Sequence, residues 1–194
     1  MKILITGAAG YIGSVMVPIL LKEGYKIIAV DNFMYNQSAL LDCCHDKNFT
    51  IIRGDARQKD LISRCLKDAD AIFPLACITG APACDRDPAI ATTTNLDAIK
   101  MLLKLRGKDQ PIIFPTTNSG YGIGQAGIYC TEKTPLNPIS LYGRLKVDAE
   151  KILLDAGNSI TLRLATVFGI SPRMRLDLLC LLYTSPSPRD RQKS

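Results

Sequence analysis

Thr6-Gly7-Ala8-Ala9-Gly10-Tyr11-Ile12-Gly13 is the stretch on which the fold turns. Its glycines follow the spacing GxxGxxG. Before it, Lys2–Thr6 is a short apolar run that reads as a strand. After it, Tyr11–Glu23 reads as a helix with Gly24 as its stop. Pro18 falls inside that helix and is expected to kink it or to leave one carbonyl unpaired. A strand that passes through three glycines into a helix is the setting of a phosphate-binding turn. Glycine lets the backbone turn sharply and come close to a pyrophosphate, while the helix start offers N–H donors and the positive end of its dipole. Gly13 lets the helix pack closely on the strand.

Working outward, the same alternation repeats. Strands are expected at Lys26–Val30, Phe49–Arg53, Ala71–Leu75, Pro111–Pro115 and Ile160–Leu164. Helices are expected at Ser38–Asp46, Lys59–Lys67 and Pro88–Leu105, the last ended by Gly107, and at Leu141–Ala156 with Ser140 as N-cap. Apolar runs of four or five residues between helical segments signal a parallel sheet buried on both faces. With right-handed crossovers the result is an α/β fold, a doubly wound parallel sheet of the Rossmann type.

The composition agrees with one globular unit: 194 residues, 47% hydrophobic and 22% charged. No apolar run is long enough to span a bilayer. The N-terminus carries one Lys and a short apolar stretch that leads straight into the glycine loop, so it reads as a strand, not a signal peptide. The expectation is a cytoplasmic protein with no membrane association. Seven cysteines, an odd number without CxxC spacing, are expected to be free thiols. Cys43-Cys44-His45 lacks a second ligand pair and reads as a surface helix, so no metal is expected. The net charge of +6 is scattered, without a basic-aromatic stripe, and no nucleic-acid partner is expected.

Asp31 closes the second strand, where a carboxylate binds an adenosine ribose 2′-hydroxyl and repels a 2′-phosphate. That favours NAD over NADP. Gly54-Asp55 and Leu75-Ala76 follow the third and fourth strands, at the carboxyl edge where open α/β sheets bind ligands. Asp55 suits either an acceptor for the adenine amino group or a local helix-capping acid.

Tyr142 and Lys146 stand four residues apart on one helix, hence on one face. A free phenol titrates near pH 10, too high for a base at neutral pH. A neighbouring ammonium, the helix dipole and an oxidised nicotinamide would each lower that value, which makes Tyr142 a candidate general base. The loop Pro115-Thr116-Thr117-Asn118-Ser119-Gly120-Tyr121-Gly122 precedes that helix by one connection and offers a hydroxyl to the same oxygen.

In this order, TGxxGxxG, the strand-two Asp, the hydroxyl loop ending in Tyr-Gly and YxxxK resemble the extended short-chain dehydrogenase/reductases, in particular the NAD-dependent epimerase/dehydratase branch. The resemblance covers about residues 1–179. It implies Thr117, Tyr142 and Lys146 as catalytic residues. It implies Gly7, Gly10, Tyr11, Ile12 and Gly13 as the pyrophosphate loop. Further cofactor positions are Asp31, Asn32, Asp55, Ala56, Leu75, Ala76 and Asn95, together with Tyr142 and Lys146. Arg163 and Ala165-Thr166-Val167-Phe168-Gly169 match the stretch that runs past the nicotinamide into the sugar site.

The implied activity is epimerisation of a nucleotide sugar, a UDP-hexose, through a transient keto intermediate, with homodimers formed through two helices of this domain. Two departures bear on it. Dehydratases of this branch carry Asp-Glu after the catalytic Thr, and this chain has Asn118-Ser119. UDP-galactose 4-epimerases carry a substrate-binding Asn where this chain has Thr166, which leaves the sugar open. Residues 1–170 are expected to form the NAD-binding domain and 171–179 the start of a truncated substrate domain. Residues 180–194 read as a non-native tail that resembles a translated library adapter. A dehydrogenase or reductase of another substrate, and a non-catalytic dinucleotide-binding module, stand as the alternatives.

Overall fold

A computed structural model describes residues 1–123 and 129–175. The expected tail at 180–194 and the last residues of the expected 171–179 segment lie outside them. Six strands form one parallel sheet in the order β3-β2-β1-β4-β5-β6. They are β1 (Lys2–Thr6), β2 (Lys26–Asp31), β3 (Phe49–Arg53), β4 (Ala71–Pro74), β5 (Ile112–Thr117) and β6 (Ser159–Leu164). The order reverses direction between β1 and β4, which opens a crevice at the carboxyl edge of the sheet.

Both faces of the sheet are used. Leu4, Ile72, Ile112 and Phe114 pack against one helical layer through Ile62, Leu102 and Leu153. Ile3, Ile5 and Ala29 pack against Val17 and Leu21 on the other side. Each fully buried Ile or Leu contributes about 1.5–3 kcal/mol relative to exposure. This two-sided burial explains the continuous apolar runs in the strands. The two edge strands, β3 and β6, are the exceptions: neither has a fully buried residue, and Ile160 and Leu162 of β6 lie exposed.

The helices depart from the sequence reading in four places. Helix α1 runs Gly13–Lys22, so Tyr11 and Ile12 belong to the turn before it. It carries Pro18 in its interior without a break in the helix. The helix expected at Ser38–Asp46 is corrected to one 3-10 turn, Leu41–Cys43. Only Leu40 and Cys43 there are buried against the sheet, too little apolar surface to hold a longer helix.

α2 (Lys59–Lys67) is as expected. A short α3 (Ala81–Arg86) was not expected, and Pro82 at its start is a helix-opening residue. The segment expected as one helix over Pro88–Leu105 is α4 (Pro88–Thr92), a π-turn (Thr93–Asp97) and α5 (Ala98–Leu105). Finally, α6 (Leu141–Asp155) is capped as expected, with Gly143 N–H donating to Ser140 Oγ over 3.1 Å.

β5 is longer than expected at its carboxyl end. Thr116 and Thr117 pair in register with Arg163 and Leu164 of β6. That extension carries the threonines to the crevice. Among the described residues no helix is long and apolar enough to cross a membrane.

Candidate active site

The crevice holds a cavity of about 490 Å³. Gly7, Gly10, Tyr11, Ile12 and Gly13 line one side of it, with Asp31, Asn32, Asp55 and Ala56 beyond them. Leu75 and Ala76 line it below, and Thr117, Tyr142 and Lys146 line the far end. One cavity therefore gathers the expected catalytic and cofactor residues except Asn95; of the stretch after β6 it leaves out Arg163, Phe168 and Gly169.

The glycine loop has the geometry its spacing demands. Gly7 has φ +69°, and a Cβ there would lie 2.5 Å from the Ala76 nitrogen. A Cβ on Gly13 would strike the Ala8 carbonyl. The turns after β1 and β4 thus pass at backbone contact. No side chain caps α1 and no acid occupies its first turn; Ser14, Val15 and Met16 N–H donate to the Gly10 and Ile12 carbonyls, and the positive end of the helix dipole faces the glycine loop.

Asp31 is 7% exposed and already engaged. Its carboxylate accepts from Ala9 N–H (2.9 Å), Phe33 N–H (2.8 Å) and the Gln37 amide (3.3 Å). It pins the glycine loop to the end of β2. Asp55 is held by Arg57, whose backbone and side-chain nitrogens reach it at 2.7–2.9 Å. The Arg57 contact, outweighing partial burial, holds the Asp55 carboxyl below the usual range. Arg57 also donates to Thr93 (3.1 Å), so this acid ties the loop after β3 to the π-turn.

Asn95 sits behind the cavity wall. It is 2% exposed and spends its side chain on the Ile78 backbone, accepting from N–H (2.8 Å) and donating to the carbonyl (2.9 Å). Its expected direct place at the cofactor is corrected to support of the loop Cys77–Thr79, which does line the cavity. Arg163 is corrected likewise. It turns to Glu150 on α6 (2.6 and 2.8 Å) and to Tyr121 Oη (3.1 Å), away from the cavity. Ala165, Thr166 and Val167 do line it.

At the far end, Thr117 lies beside the Tyr142 phenol on the cavity wall, and its hydroxyl donates to Ser119 Oγ over 3.1 Å. Thr117 Oγ1 also accepts from Ser119 N–H (3.1 Å). Lys146 is 4% exposed, with Nζ 3.7 Å from the centroid of the Phe114 ring. The expectation that Lys146 lowers the Tyr142 pKa is corrected for this state. Burial, followed by the Cys77 and Cys84 thiols, pushes Tyr142 well above the usual phenol range; Arg175 and Thr117 pull it down only in part. Burial also lowers the Lys146 pKa, against the opposing pull of Cys77 and Glu150. The ring beneath Lys146 supplies a cation–π contact in place of water.

Sequence reading missed several lining residues: Tyr35, Arg57, Cys77, Thr116, Arg173 and Arg175. Only Thr116 stands in a stretch singled out above, the hydroxyl-rich loop, where it carried no assigned role. Arg173 packs over the Tyr35 ring (4.5 Å), joining residues far apart in the chain. Tyr11 Oη donates to the Gly169 carbonyl (2.6 Å), and Ser171 Oγ to the Tyr11 carbonyl (2.8 Å), so the segment after β6 is fastened to the glycine loop.

Residues 3–177 match the NAD dependent epimerase/dehydratase family. The chain belongs to that family. It is 34% identical over 195 residues to an uncharacterised UDP-glucose epimerase of Bacillus subtilis, covering 92% of this chain and 60% of the relative. Among solved structures it is similar to UDP-glucuronic acid 4-epimerase from Bacillus cereus, in complex with UDP-glucuronic acid and NAD. There the TM-score is 0.83 and the identity 29%, over 93% of this chain and 61% of that one. It is also similar to dTDP-glucose 4,6-dehydratase from Bacillus anthracis in complex with NAD. The TM-score is 0.82 and the identity 27%, over 94% of this chain and 59% of that one. This epimerase/dehydratase chain thus spans about 60% of the length of these relatives.

Proposed function

We propose that this chain binds NAD and carries the proton-transfer residues of a nucleotide-sugar epimerase acting on a UDP-hexose. The observation that carries the reading is the shared cavity. The Tyr142–Thr117 hydroxyl pair stands at one end, and the glycine loop with Asp31 at the other. Two tests of fit favour NAD. The close backbone approach at Gly7 and the uncapped start of α1 suit a pyrophosphate. The buried Asp31 carboxylate keeps acceptor capacity for a ribose hydroxyl and repels a 2′-phosphate.

When bound, NAD supplies the hydride acceptor and, once reduced, the donor. Gly7–Gly13 hold the pyrophosphate and Asp31 the adenosine ribose. Lys146, which lines the cavity beside Tyr142, would bond the nicotinamide ribose. Tyr142 accepts the proton of a sugar hydroxyl at C4, and Thr117 donates a hydrogen bond to that same oxygen. The sugar becomes a 4-keto sugar. After the keto sugar turns over in the site, the hydride would come back to the opposite face of C4 while Tyr142 would return the proton to O4. Asn118-Ser119, where dehydratases carry Asp-Glu, leaves no acid to expel water, which favours epimerisation over dehydration.

The test has two parts. Calorimetry should detect NAD binding and a weaker response to NADP. NMR of UDP-glucose incubated with NAD and protein should reveal UDP-galactose, assayed with this chain and with the chain extended to its relatives' length. Absence of NAD binding refutes the reading. NAD binding with net accumulation of NADH points instead to a dehydrogenase.

A further inference from the structure

Among the described residues, one buried side-chain oxygen or nitrogen lacks a hydrogen-bond partner: Thr116 Oγ1. Thr116 is 5% exposed and lines the cavity. It follows Ile112 and Phe114 on alternate positions of β5, on the face packed against α6. Phe114, two residues before it, carries the Lys146 ammonium on its ring. Thr117 makes the contrast: its hydroxyl donates to Ser119 Oγ and accepts from Ser119 N–H, 3.1 Å each. The two adjacent threonines both line the cavity but leave the strand on opposite faces, one satisfied and one not.

A hydroxyl buried without a partner costs free energy, and a Val of the same shape would remove that cost. A cavity wall is where such a group gains its partner from a ligand. We propose that Thr116 Oγ1 is a binding group for the nicotinamide riboside half of the dinucleotide, paired by a ribose hydroxyl or the carboxamide of that half. The proposal rests on the NAD reading above and extends it to a residue outside the Tyr-Lys-Thr set. Because the hydroxyl is idle until the ligand arrives, its removal acts with opposite sign on the free and loaded protein.

Thr116→Val tests this by thermal melting of the free chain and by calorimetric titration with NAD, ADP-ribose and ADP. The expected free-protein melting temperature is equal to or above wild type. NAD affinity should fall about five- to tenfold, with ADP affinity unchanged. If the loss extends to ADP-ribose, the partner is the ribose; if it is confined to NAD, the carboxamide. Thr116→Ser, which keeps the hydroxyl, should recover most of the affinity.

A lower melting temperature for free Thr116→Val, an equal loss toward ADP, or a serine variant as weak as the valine overturns the proposal. So does unchanged NAD affinity in a chain whose wild type binds NAD. Failure of wild type itself to bind NAD overturns the parent reading along with this one, so the two failures are distinguishable.

Discussion

The two ends of the cavity are built differently. At the glycine-loop end both acids, Asp31 and Asp55, are engaged. Asp31 holds the glycine loop and the Phe33 turn, Asp55 holds Arg57, and Gly7 presses its backbone against Ala76. At the Tyr142 end Thr116 Oγ1 has no partner, Lys146 Nζ sits over the Phe114 ring with its charged form disfavoured by burial, and Tyr142 is pushed toward its neutral form. The first end is preorganised, so little ordering is lost on binding. The second holds groups at a free-energy cost that the ligand relieves.

Four substitutions break or sharpen that contrast, in falling order of effect. Tyr142→Phe should lower UDP-hexose turnover about a thousandfold, with NAD affinity within twofold of wild type. Comparable turnover would remove the phenol from the chemistry. Gly7→Ala should weaken NAD at least about a hundredfold and lower the melting temperature, because its Cβ meets backbone atoms in a left-handed conformation. Normal binding would show that the turns after β1 and β4 can separate freely.

Asp31→Asn should weaken NAD about tenfold and narrow the preference over NADP, as read by paired titrations. An unchanged ratio would take the cofactor choice away from this acid. Lys146→Met carries the smallest effect and the opposite sign. It should raise the melting temperature of the free chain by about 2–4 °C at neutral pH while weakening NAD. The reason is the lowered lysine pKa. Between that folded value and the unfolded value near 10.4, the unfolded chain binds more protons, so wild-type stability rises with pH. The gap between variant and wild type should therefore close as pH climbs toward 10, and a gap that widens would contradict a desolvated ammonium.

Much of this was legible beforehand because it is local. The glycine spacing, the Asp after β2 and the i,i+4 Tyr-Lys pair are properties of a few neighbouring residues. The six strands were visible because a two-faced sheet demands unbroken apolar runs. What was misread depended on distant partners. Ser38–Asp46 has polar and apolar residues in a helix-compatible mix, yet the sheet buries only two of them. Asn95 and Arg163 carry groups suited to ligands, but Ile78 and Glu150 claim them first. Thr116 and Thr117 look alike in the chain, and only their contacts tell them apart.

The amino-acid sequence on its own determined the doubly wound sheet, the glycine turn and the membership of Tyr142, Lys146 and Thr117 in one segment order, since each follows from periodicity, backbone sterics or spacing. The tertiary structure alone decided which polar groups are spent and which stay available. It set Lys146 over Phe114, raised Tyr142 by burial and left Thr116 Oγ1 unpaired. The reason is that desolvation and hydrogen-bond competition depend on every atom packed around a group, and those atoms come from strands and helices far apart in the chain.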